Sequence, residues 1–199
     1  MNITNSDFFT FNVHNTMFLT GETGSGKSVL QDKLIEKMVA AHSPDTLQFV
    51  LLDMTAVDFS FLKDEHPEYI QRNIEIKSDD GLDMLDELAE LSEKRVSEAI
   101  TKPLTFLCIE ECDMAASDQA RFDAALITIN HNAKQANLKV IYSTSRPSAD
   151  VISKQLLNSF DLIVAGKLAS KADSKYLGVP SVIYDFPPYG FAVIENERD

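Results

Sequence analysis

Basic residues are scarce in this chain: 18 Lys and Arg stand against 31 Asp and Glu, for a formal net charge of −13 at pH 7. A domain that coats nucleic acid with its outer surface is normally basic. That mode is disfavoured, and any nucleic-acid contact has to be local, as at the mouth of a ring. Long apolar runs are missing too. None approaches the roughly 20 residues that a membrane helix needs, so no direct membrane insertion is expected. The first residues show no basic stretch followed by an apolar one, so no secretory signal is visible and the expected localisation is cytoplasmic. Cysteine is nearly absent. Cys108 and Cys112 have no second pair to complete a zinc site, and a cytosolic protein has little use for a disulfide, so both read as buried thiols. Repeats, linkers and low-complexity tracts are also lacking. The 199 residues, 44% hydrophobic and 25% charged, therefore read as a single domain over residues 1–199 with a full core.

Against that plain background stands Gly21-Glu22-Thr23-Gly24-Ser25-Gly26-Lys27-Ser28, which fits the phosphate-loop pattern G-x-x-x-x-G-K-[ST] at every fixed position. Met17-Phe18-Leu19 before it reads as a buried strand. Val29-Leu30, Leu34-Ile35 and Met38-Val39 after it are apolar at helical spacing. Glycines let backbone N–H groups turn inward around an anion, and the helix N-terminus adds partial positive charge. Lys27 would reach the β- and γ-phosphates, and the Ser28 hydroxyl would ligate Mg²⁺. Residues 21–29, Val29 included, are the expected contacts for ATP.

The remaining pattern alternates strands with helices, which argues a mainly parallel α/β sheet covered on both faces. Residues 1–15 are expected as an edge strand or strap. LQFVLL (47–52), closed by Asp53, is a continuous apolar run typical of a buried parallel strand. Residues 54–67 read as a loop anchored by Phe59, Phe61 and Leu62, and Asn73–Ile76 as a short strand. Asp79-Asp80 open a long amphipathic helix with Leu82, Leu85, Leu88, Ala89, Val96 and Ile100 on its apolar stripe. Its acidic face is either a solvated surface or a docking surface. LTFLCI (104–109) is a strand; Ser117 is expected to cap a helix running to about Ala136. LKVIY (138–142) is a strand, Ala149–Leu157 a helix, Asp161–Ala165 a strand and Ser170–Leu177 a helix stopped by Gly178. The pattern predicts a C-terminal β-hairpin from Ser181–Tyr184 and Phe191–Ile194 around a Pro-Pro-Tyr-Gly turn.

A phosphate loop needs a metal-binding acid and a base that orients water. LTFLCI leads directly into Glu110-Glu111. Glu110 is the candidate Mg²⁺ ligand, with Asp113 as a fallback, and Glu111 the candidate general base. Thr144, at the end of the LKVIY strand, is placed to position water and sense the γ-phosphate. Asp53 reads as structural or inter-subunit.

GETGSGKSVL, LQFVLLD, FLCIEECD and above all Ser143-Thr144-Ser145-Arg146-Pro147-Ser148-Ala149-Asp150-Val151-Ile152 together resemble the FtsK/SpoIIIE DNA translocases, over residues 16–195. The phosphate loop alone would be generic; TSRPSADVI is specific. The resemblance implies a RecA-like P-loop fold and a ring, usually hexameric, with ATP between subunits and double-stranded DNA in the pore. It also covers relatives that serve conjugation, virus packaging and type VII protein secretion, so a secretion or membrane-anchored partner and a protein cargo stay open. So does a nucleotide-binding assembly or regulatory module that hydrolyses ATP poorly. Two departures stand out. Ser145 replaces the family's Gln, and Asn158-Ser159-Phe160-Asp161-Leu162 carries no arginine finger. Lys167, Lys171 or Lys175 could substitute in trans, and Arg146 is a further candidate, although the resemblance gives it a structural role. No membrane segment or DNA-reading domain accompanies the motor, which is expected to stand alone.

Overall fold

The computed structural model describes residues 13–53, 58–75, 79–111 and 115–196. Among these residues seven strands form one sheet in the order β3-β2-β4-β5-β1-β6-β7. They are β1 (Thr16–Thr20), β2 (Leu47–Asp53), β3 (Ile70–Glu75), β4 (Leu104–Glu110), β5 (Leu138–Thr144), β6 (Leu162–Ala165) and β7 (Ala192–Glu195). All pairings are parallel except β6 with β7. Every residue of β1 and β4 is buried, as is all of β2 and β5 except Gln48 and Lys139. Such strands need helices on both faces, which is why their sequences read as unbroken apolar runs.

Alternate residues along each strand divide the core in two. Met17, Leu19, Phe49, Leu51, Phe106, Cys108 and Ile141 face α1 (Lys27–Ala41) and the 59–69 connection. Phe18, Val50, Leu52, Leu107, Ile109, Val140 and Tyr142 face α2 (Asp79–Glu98) and α3 (Ala115–Asn132), with α4 (Lys154–Asn158) and α5 (Lys171–Leu177) beyond them. On that second face Tyr142 makes edge contacts with Phe18 and Phe122 at 5.5 and 5.7 Å between ring centroids. Burial raises the Cys108 thiol pKa well above its ordinary value, which keeps it protonated. No helix among the described residues is long and apolar enough to cross a membrane.

Several expectations are corrected. Ser181–Asp185 is a 3₁₀ turn, held by Ile183 N–H to Pro180 O, so the chain end contributes one antiparallel strand, β7, and no hairpin. Ile183 is fully buried from that turn, so its side chain found the core without a strand. Asp118, not Ser117, caps the regular part of α3: it has φ −151° and ψ 78°, and its carboxylate accepts the Arg121 N–H at 3.0 Å. The 149–157 helix is shortened to α4, capped by Ser153. Strand β3 starts at Ile70, ahead of the expected Asn73. Ile100 lies beyond α2 and is 37% exposed, because the helix ends at Glu98 and Ala99 follows in the left-handed region at φ +54°. The strap or edge strand expected over 1–15 falls almost wholly outside the described residues.

The acidic face of α2 is partly consumed inside the domain. Asp83 and Asp86 both pair with Arg121 of α3, and Glu87 pairs with Arg72 of β3. Arg95, 5% exposed, instead donates from Nη1 to the Pro103 and Ala136 carbonyls and from Nη2 to Thr105 Oγ1. It ties α2 to the starts of β4 and β5.

Candidate functional site

The parallel strands end together at one edge, and that edge carries the candidate residues. Thr20, last in β1, donates its hydroxyl to Thr144 O at 2.8 Å, which locks the exits of β1 and β5 side by side. Beyond it Gly21 has φ +152°, and a Cβ there would meet Ser25 Oγ at 2.6 Å, so the loop closes on itself only without a side chain. Helix α1 starts at Lys27 with Gly26 as N-cap, without a side-chain capping bond and without an acid in its first turn. The first N–H groups of the helix are thus offered to an anion rather than to the protein. Lys27 is 7% exposed and donates one of its N–H groups to Gly21 O at 2.8 Å, folded over the loop that it serves.

A cleft of about 350 Å³ opens here, lined by Thr23, Gly24, Gly26, Lys27, Ser28, Val29, Asp58, Glu110, Glu111 and Tyr189. Three loop residues lie outside this lining. Gly21 and Ser25 are buried, and Glu22 turns to Lys167, with its N–H on Lys167 O at 2.7 Å and its carboxylate 3.1 Å from Nζ.

Glu110 and Glu111 are neighbours in sequence with different surroundings. Glu110 ends β4 between Asp53 of β2 and Ser143 of β5, is 3% exposed, and its Oε2 has no hydrogen-bond partner. Burial pushes its carboxyl from 4.5 up to about 7; Asp58 and Glu111 add to the rise, while the Ser143 hydroxyl and Lys27 oppose it. Glu111 leaves the strand with φ +45°, its N–H still on Ser143 O at 2.9 Å. Its Oε1 accepts the Ser145 N–H at 2.7 Å and its Oε2 accepts the Thr144 hydroxyl at 3.2 Å. The same Thr144 oxygen accepts the Arg146 N–H at 3.1 Å. Glu111 and Thr144, two of the three expected catalytic side chains, therefore meet in one hydrogen-bonded unit. Ser145, where the sequence lacks an amide, serves through its backbone.

This donor set fits a triphosphate with a divalent cation. An orphaned carboxylate oxygen on Glu110 and the exposed Ser28 flank an uncapped helix N-terminus and a lysine. Among the described residues no group of three or more His, Cys, Asp or Glu could hold a metal by itself, so a cation here would depend on phosphate oxygens as well. Asp113, the fallback ligand, lies outside the described residues.

Asp53 is structural, as the sequence allows. It is fully buried, with Lys63 Nζ at 2.6 Å and the Asp58 N–H at 3.2 Å on one carboxylate oxygen. That bond helps deliver Asp58 to the cleft, where the sequence pattern indicates only a loop. The Pro-Pro-Tyr-Gly turn pattern likewise does not single out Tyr189. Lys167 is engaged by Glu22, Lys171 and Lys175 lie on α5 away from the cleft lining, and Arg146 is exposed beside Asp150 at 3.7 Å.

The family model for the FtsK/SpoIIIE family matches residues 2–175. DNA translocases FtsK of Streptococcus pyogenes serotype M6 and Helicobacter pylori strain J99 are 23% and 24% identical over 184 residues, about 80% of this chain. The chain spans only 23% and 21% of their lengths. Among solved structures, the pCW3 conjugation coupling protein TcpA superposes with a TM-score of 0.74 at 18% identity, covering 93% of this chain and 58% of that one. The cytoplasmic domain of the Thermomonospora curvata type VII secretion ATPase EccC gives 0.69 at 17% identity, over 93% of this chain and 24% of its own. The genome packaging NTPase B204 of Sulfolobus turreted icosahedral virus 2 gives 0.61 at 20%, with 92% of each chain covered. At such identities these likenesses speak for the fold, a P-loop ATPase fold with a mostly parallel sheet. With the family model spanning most of its length, the chain belongs to the FtsK/SpoIIIE family.

Proposed function

We propose that this domain is an ATPase motor that couples hydrolysis of MgATP, in a ring of like subunits, to movement of double-stranded DNA. The observation that carries the ATPase reading is the convergence of Lys27, Glu110 and the Glu111–Thr144–Ser145 unit at one cleft. The phosphate-loop N–H groups and Lys27 bind the β- and γ-phosphates. Ser28 and Glu110 would hold Mg²⁺, which when bound would offset the charge of the phosphates. Glu111, fixed by its two hydrogen bonds, orients a water and accepts its proton as the water oxygen attacks the γ-phosphorus and the bond to ADP breaks. Thr144 reports on the phosphate by sharing its hydroxyl with Glu111.

Lys27 is the one cation among the described residues lining the cleft, so a transition-state cation has to come from a neighbouring subunit. Lys171 and Lys175 are candidates ahead of Lys167, which Glu22 holds. DNA as cargo rests on the family. The charge of −13 favours a local contact in a pore, and it is the observation that keeps a protein cargo as the second reading. Steady-state hydrolysis at several protein concentrations, with and without linear double-stranded DNA and with Glu111→Gln as blank, tests the proposal. Turnover rising with protein concentration and again with DNA supports it. Turnover indifferent to DNA would overturn the cargo, and turnover equal to the blank would overturn the motor.

A further inference from the structure

Tyr189 is held in the left-handed region at φ +66°, a conformation that bulky residues rarely adopt, yet its side chain is 62% exposed. Core packing does not explain the strain. Its backbone N–H donates to Ser25 O in the phosphate loop at 2.9 Å, and the turn below it is closed by Gly190 N–H on Pro187 O at 3.0 Å. The flanking Phe186 and Phe191 are both buried and anchor the turn. The ring lies against the start of α1. A Cβ on Gly26 would fall 2.5 Å from Tyr189 Cδ1 and 3.1 Å from Cε1, so the absent side chain of Gly26 is what lets the ring rest there. Val29, three residues on and so on the same face of the helix, is 41% exposed and lines the same cleft. The four large apolar side chains exposed on the described surface are Val13, Val29, Ile100 and Tyr189. Two of them thus sit together in this cleft, beside groups suited to phosphate.

We propose that Tyr189, with Val29, is the platform on which the base of the bound nucleotide stacks. The inference rests on the reading of the cleft as a nucleotide site and adds the residues that grip the nucleoside. Strained backbone clusters at ligand clamps, and an exposed aromatic ring is a surface on which a purine stacks without asking for hydrogen bonds. It also gives Gly26 a second task. The residue that caps the helix for phosphate makes room for the ring that takes the base.

The test compares equilibrium binding of ATP with that of inorganic tripolyphosphate, which has the phosphates and no base. Tyr189→Ala should weaken ATP about tenfold or more, in the range of base–aromatic stacking, and leave tripolyphosphate unchanged, which also shows that the loop is intact. Tyr189→Phe should restore ATP affinity. The chain has no tryptophan, so Tyr189→Trp introduces a single reporter whose emission should change with ATP and not with tripolyphosphate. Equal loss of both ligands in Tyr189→Ala would make Tyr189 a support for the phosphate loop and overturn the platform. Unchanged binding of both would also overturn it. A wild-type protein that binds neither ligand would overturn the nucleotide site itself.

Discussion

Replacing Glu110 by Gln tests whether the buried carboxyl is a metal ligand held at a cost to the fold. In EDTA, with neither metal nor nucleotide present, burial raises the Glu110 carboxyl from 4.5 to about 7 in the folded protein. Between those pH values the folded state keeps a proton that the unfolded state gives up. Stability must therefore fall as pH rises through that window, and level off above it. At 1.36 kcal/mol per decade the total cost approaches about 3 kcal/mol, and the side chain is 3% exposed, so little of it is lost to solvent screening. In Glu110→Gln this contribution vanishes. The melting temperature of the variant, relative to wild type, should rise by roughly 6–12 °C between pH 5 and pH 8, at 2–4 °C per kcal/mol for a chain of this size. Comparing the pH dependence rather than the absolute melting points removes any fixed cost of the new amide. Thermal unfolding of both proteins across that range reads it directly. Adding Mg²⁺ with ATP at pH 8 should stabilise the wild type more than the variant. A difference in melting temperature that stays flat with pH would refute the reasoning, because Glu110 would then titrate alike in both states.

Three further outcomes follow from the geometry. Lys27→Ala should abolish binding of ATP at millimolar concentrations, as measured by calorimetry; unchanged affinity would remove Lys27 from the phosphate contacts. Thr144→Val keeps the shape of a 2% exposed residue and deletes both its bond to Glu111 and its acceptance of the Arg146 N–H. It should lower turnover about tenfold with KM little changed, and cost about 1–2 kcal/mol for the orphaned N–H; a rise in KM alone would mean that Thr144 binds ATP without positioning Glu111. Arg95→Ala should cost about 3 kcal/mol in denaturant unfolding, since two carbonyls and a hydroxyl lose a charged donor. ATP affinity should persist, and Arg95→Lys should not restore the stability, because one ammonium lacks the guanidinium fork.

The parts of this fold that the sequence makes legible are those where one local rule applies. Strands β1, β2, β4 and β5 are buried on both faces, so each is an uninterrupted apolar run. The phosphate loop has a fixed spacing, and Glu110 and Thr144 are found simply by following two of those runs to their ends. The misread parts are those where tertiary contacts decide. SVIY has the composition of a strand, but Pro180 starts a 3₁₀ turn that buries Ile183, and β7 takes the free edge of β6. Asp58 enters the cleft with its N–H on the buried Asp53, whose same carboxylate oxygen takes the ammonium of Lys63, ten residues on. Tyr189 reaches Gly26 from the far end of the sequence, through a strained turn that no periodicity announces. Strand order is equally invisible in the sequence. Placing β5 between β1 and β4 is what sets Thr144 between the phosphate loop and Glu111.

That placement also explains how two adjacent glutamates acquire different chemistry. Glu110 is the last residue of β4 and stays in register with Asp53 and Ser143 on its two neighbours. Flanking strands deny it water, and a carboxylate without solvent or full hydrogen bonding holds its proton more tightly. On the proposed reading, a cation arriving with the phosphates would favour its ionised form and so couple metal binding at Glu110 to occupancy of the cleft. Glu111 is released from the strand by a single residue at φ +45°. Its two carboxylate oxygens take one hydroxyl and one backbone N–H from the end of β5. A base has to be aimed, and under the proposed function these two bonds do the aiming. The Thr144 hydroxyl is shared between Glu111 and the Arg146 N–H, so under the proposed function any pull that a γ-phosphate exerted on Thr144 would be felt both at the base and at the start of the loop that follows β5.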